Sequence, residues 1–70
     1  MKPTRQNIQN LVADLEAQIL RLEGEEYSVH KLLNWNPSSK ELQKEFVAIQ
    51  DGIQVFKAQR DHWQSQLEPS

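Results

Sequence analysis

The sequence predicts an all-α fold: a two-helix antiparallel hairpin with a coiled-coil-like seam, pairing with a second copy as an antiparallel four-helix-bundle homodimer. Three observations carry this expectation. Two long segments show helical periodicity, a short polar break containing a proline (Asn34-Trp35-Asn36-Pro37-Ser38-Ser39) separates them, and the segments mirror one another about that break. The composition agrees, because glutamine is abundant, β-branched residues are few, and only two Gly and three Pro occur in 70 residues. Such a mixture favours helix and leaves little material for a sheet.

The first helix is expected over about 4–33. Thr4 is its N-cap, a hydroxyl able to accept one of the orphan backbone N–H groups of the first turn. Ile8, Val12, Leu15, Ile19, Leu22, Glu26, Val29 and Leu33 follow in alternating steps of four and three. That spacing is a heptad seam with one charged interruption, Glu26. Gly24 is the weak point, since glycine inside a helix loses about 1 kcal/mol relative to alanine. The seam keeps its phase through Gly24, which lies on the opposite face, so an unbroken helix is expected.

The turn is placed at 34–38 and the second helix at about 39–67. Ser38 with Glu41 three residues later forms a capping box, and Asn36 as cap with Pro37 in the first helical position is the competing start. The second seam is Leu42, Phe46, Ile49, Ile53, Phe56, Arg60, Trp63 and Leu67, again in steps of four and three and again with one charged interruption, and Glu68-Pro69-Ser70 ends the helix. Pairing residues whose numbers sum to 75 joins every seam residue of one helix to a seam residue of the other. Leu33 meets Leu42, Val29 meets Phe46, Leu22 meets Ile53 and Val12 meets Trp63. An antiparallel hairpin closed by a short loop requires this mirror relation, and small residues opposite large ones build layers of even volume.

The whole chain, 1–70, reads as one small domain. A domain of this size buries only about 60% of the surface its unfolded chain exposes. With no cysteine it has no disulfide to help it. A lone hairpin covers one side of each seam, so something must cover the rest, and a second copy is the simplest partner. Leu11 and Leu32 widen the first seam on one side, while Gln43, Gln50, Gln59, Gln64 and Gln66 flank the second with uncharged side chains suited to half-buried positions. Glu26 lies as far toward the turn from the seam midpoint as Arg60 lies away from it. With turns at opposite ends, a two-fold axis therefore brings Glu26 of one copy level with Arg60 of the other, and the sequence predicts that they meet.

The chemistry-bearing residues are sparse. His30 one turn after Glu26, with Glu23 a heptad before it, is the only cluster with metal-like spacing, but the second helix has no Glu-x-x-His to complete a bundle site. No Gly-rich phosphate loop and no Cys or Ser arranged with a His occurs. No catalytic, metal or cofactor site is expected, and no enzyme. The net charge is −2, with Lys40, Lys44, Lys57 and Arg60 interleaved with Glu41, Glu45, Asp51 and Asp61. Nucleic-acid readers usually cluster their basic residues on one face, so nucleic acid is disfavoured as a partner. The basic opening Met1-Lys2-Pro3 lacks the apolar run of a signal peptide, and no stretch approaches a membrane span, so a soluble cytoplasmic protein without membrane contact is expected. Trp35 is read as a lid on the core over Leu32 and Leu42, or else as an anchor for another protein. Leu20 and Tyr27, off the seam and one heptad apart, are candidates for the same partner surface. The functional expectation is a homodimeric adaptor or regulator working through protein–protein contacts. An RNA modulator built as a hairpin dimer, and a small subunit of a larger helical assembly, are the alternatives.

Overall fold

Two helices packed against each other make up the computed structural model, which describes residues 3–67. Helix α1 spans Arg5–Trp35 and helix α2 spans Lys40–Ser65. The Thr4 side chain accepts from the Asn7 N–H at 3.1 Å and starts α1. Gly24 lies inside the helix with no break, and the Ser28 hydroxyl donates back to its carbonyl at 3.2 Å. A helix of 31 residues is about 46 Å long at about 1.5 Å per residue, in keeping with Cα extents of 49 × 21 × 14 Å.

The connection is shorter and later than the sequence predicts. Asn34 and Trp35, expected in the turn, are the last residues of α1. Pro37 explains the stop: the residue before a proline is pushed out of the α region, and Asn36 has φ −142° and ψ 73° while its N–H still donates to the Leu32 carbonyl at 2.9 Å. Neither expected start of α2 is the observed one. Ser39, not Ser38 or Asn36, is the N-cap, its hydroxyl accepting from the Leu42 N–H at 3.3 Å. Pro37 and Ser38 form a tight turn closed by the Ser39 N–H on the Asn36 carbonyl at 3.2 Å, and the Gln43 side-chain amide donates to the Pro37 carbonyl at 2.8 Å. The turn thus uses up Ser38, and the cap falls one residue on. Glu41 still lies in the first turn, where a carboxylate complements the helix dipole. At the far end α2 stops at Ser65 and Leu67 lies in a turn beyond it; the expected terminator Glu68-Pro69-Ser70 lies outside the described residues.

The core is the line along which the seams meet. All sixteen seam residues are buried or half-buried, and off the seam only Gln18, Ser39, Gly52 and Lys57 share that condition among the described residues. Cross-helix neighbours follow the mirror relation within a residue. A Cβ added to Gly52 would lie 3.5 Å from Leu22 Cδ1, and the His30 and Phe46 rings have centroids 6.0 Å apart.

Candidate interaction surface

A pair of helices is a single layer, so each seam shows through on two broad faces. Residues one heptad apart share a face, which assigns the exposed apolar side chains. One face, called here the Leu32 face, carries Leu11 and Leu32 on α1 and Val55 on α2, 37%, 53% and 54% exposed. Between them lies a hollow of about 610 Å³ that reaches down to Val29 and Ile49 and is rimmed by Arg21, Gly24, Glu25, Ser28, Glu45 and Ala48. Glu25 stands a heptad before Leu32, Ala48 a heptad before Val55, and Glu45 a heptad before Gly52. The hollow exists because Gly24, Ser28 and Ala48 have side chains too short to fill it.

The opposite face, the Tyr27 face, carries Leu20 and Tyr27 on α1 and Val47 on α2, 71%, 61% and 54% exposed. Tyr27 shares a shallow hollow with Glu23, Glu26, His30 and Phe46, and the neighbouring one is lined by Glu23, Glu26, Gln50, Asp51, Ile53, Gln54 and Lys57. The Lys31 ammonium sits 4.9 Å from the Tyr27 ring centroid, one helical turn on, a cation–π contact of the kind that contributes about 0.5–1 kcal/mol at exposed sites.

The two seam charges are placed differently from one another. Glu26 is half-buried and opens onto the Tyr27 face. Arg60, with its side chain 27% exposed, turns along its own helix to Asp61, Nη2 to Oδ1 at 3.0 Å. The cross-copy partner that the sequence assigns to Arg60 therefore has a rival next door. Trp35 does not cover the core: its side chain is 90% exposed. Glu23, Glu26 and His30 do converge on one hollow, yet among the described residues no group of three or more His, Asp or Glu is placed to hold a metal ion. The flanking glutamines Gln43, Gln50, Gln59, Gln64 and Gln66 are all exposed in the single hairpin. Among the described residues no helix is long and apolar enough to cross a membrane.

The sequence reading missed the roles of Val47, Val55 and Gly52. A signal was present: Val47 and Val55 are β-branched residues at helix positions off the seam, where straight-chain polar residues are the ordinary choice. In comparison with known proteins, no family model, no curated protein and no solved structure matches the chain.

Proposed function

We propose that the chain is a non-enzymatic, homodimeric adaptor or regulator of the cytoplasm that acts by presenting a helix face to another protein. The support is the half-covered seam. On α2 only Ile53 is buried, while Leu42, Phe46, Ile49, Phe56 and Trp63 remain partly in water, and no side chain among the described residues falls below 2% exposure. Apolar area left wet in this way is a standing source of association free energy, at roughly 25 cal/mol per Å². A second copy offers a matched surface by symmetry. One face then remains for a partner, with Leu20 and Tyr27 as its apolar contacts, and Trp35 is a separate exposed anchor at the turn end of α1.

Sedimentation across a concentration series, with thermal unfolding followed by circular dichroism, tests the reading. Linkage of folding to association requires the melting temperature to rise with protein concentration. A monomer with a concentration-independent transition overturns the homodimer. An RNA modulator would instead retard RNA in a gel at low salt and release it as salt rises; the adaptor reading predicts no such shift.

A further inference from the structure

We propose that the second copy packs on the Leu32 face, with the two turns at opposite ends, and that the Tyr27 face stays outside the dimer. This rests on the homodimer reading and specifies its surface. Two hairpins stacked face to face about an axis perpendicular to the helices set α1 against α1 and α2 against α2, each pair antiparallel. The axis passes through the seam midpoint, so each residue faces the one in the same heptad position on the other side to within about two residues, or about 3 Å along the helix.

On the Leu32 face this operation sets apolar side chains against apolar ones and amides against carboxylates, and it lays large side chains over small ones at the hollow. Leu11 comes within about half a helical turn of Leu32 of the second copy, and Val55, beside the midpoint, comes against its own copy. Gln18 meets Glu25 and Gln66 meets Glu45, each an amide able to donate to a carboxylate. Gly52 meets Gln59. The hollow occupies the half of the face nearer the turn, while the half nearer the termini carries Leu11, Gln18, Gln59 and His62. The two-fold exchange lays the bulky half of each copy over the hollow half of the other, and His62 comes level with Ala48. Arg21 alone meets a like charge, its own copy, at the outer edge and one turn from Glu25.

Other arrangements lack this match. On the Tyr27 face the same operation brings Glu16 within about half a turn of Glu23 of the second copy, twice, and Val47 against Asp61; like charges close together at an interface disfavour it. On the Leu32 face with turns together, hollow faces hollow and Leu32 meets Glu45. In the proposed dimer Glu26 and Arg60 do not meet, because Glu26 opens onto the other face and Arg60 is held by Asp61.

Because the chain has no cysteine, single-cysteine variants report the arrangement directly. Val55→Cys and Leu20→Cys lie at the same level on opposite faces and are 54% and 71% exposed, so neither disturbs the core; Asn36→Cys marks the turn. Under mild oxidation, or with a short bismaleimide, Val55→Cys should convert to a covalent dimer while Leu20→Cys and Asn36→Cys remain single chains. Cross-linking through Leu20→Cys would overturn the face and leave the homodimer standing. Cross-linking through Asn36→Cys would overturn the opposed turns. If no variant cross-links while the parent chain sediments as a dimer, the arrangement is wrong; if the parent is a monomer, the homodimer itself is wrong.

Discussion

The two helices carry seams of the same length and spacing, yet α1 buries five of its seam residues and α2 only one. Side-chain size accounts for the difference. The buried residues of α1 are Ile8, Val12, Leu15, Ile19 and Val29, all compact aliphatics. Those of α2 that stay half-exposed include Phe46, Phe56 and Trp63. A ring opposite a valine or isoleucine, as at Val12, Ile19 and Val29, covers most of the smaller group, which is 8%, 3% and 8% exposed, while the larger ring is left partly in water. In a two-helix unit, burial accrues to the smaller member of each layer, and the larger member carries whatever surface remains for association.

The sharpest way to break this comparison is to truncate one residue of each kind. Ile19 is 3% exposed, so Ile19→Ala should lower the unfolding free energy by about 2–5 kcal/mol, the range for fully buried aliphatics. Phe56→Ala tests whether the half-exposed ring is covered. If a second copy packs over it, urea unfolding at dimer-forming concentration should show a loss of about 3–5 kcal/mol. A Phe56→Ala loss well below that of Ile19→Ala would mean that the outer edge of the ring stays in water.

The same contrast governs what the sequence could reveal. Seam membership and the mirror pairing rest on spacing, and spacing survives any choice of loop; hence Leu22 does meet the Gly52-Ile53 level. Details set by a single residue's backbone were not legible. Whether Ser38 or Ser39 caps α2 depends on how many residues the turn consumes after Asn36, and both serines suit the role in isolation. Which face Glu26 opens onto was equally hidden, because a list of seam positions does not say toward which side of the layer each one leans. The stop at Asn36, by contrast, was available from Pro37.

The capping assignment gives a smaller effect. Ser39→Ala removes the acceptor of the Leu42 N–H and should lower stability by about 1 kcal/mol, within the range for lost N-caps. Ser38→Ala should be nearly silent, since the Ser38 hydroxyl reaches only the Asn36 side chain, at 3.4 Å. Equal losses at the two positions, measured by chemical denaturation, would move the cap back to the capping box that the sequence predicts.

The smallest expected effect belongs to the largest exposed side chain. Trp35 is helical, and that fixes its direction: it stands a heptad after Ser28, on the outer edge of the Leu32 face and well round the helix from the seam, so its ring does not lie over Leu42. Had α1 ended at Leu33, the backbone would have been free to fold the ring back over the open end of the core. Trp63, by contrast, is half-buried on the seam with His62 edge-on to it, ring centroids 5.2 Å apart. The two tryptophans should therefore separate cleanly. Trp35→Ala should change stability by no more than about 0.5 kcal/mol, as surface substitutions do, while Trp63→Ala should approach the losses of about 3–5 kcal/mol seen for buried aromatics. In a Trp63→Phe background, iodide should quench the remaining Trp35 emission almost as efficiently as it quenches free indole. Weak quenching, together with a stability loss in Trp35→Ala, would show that the ring is covered in solution, and a second copy or the core end would then have to be what covers it.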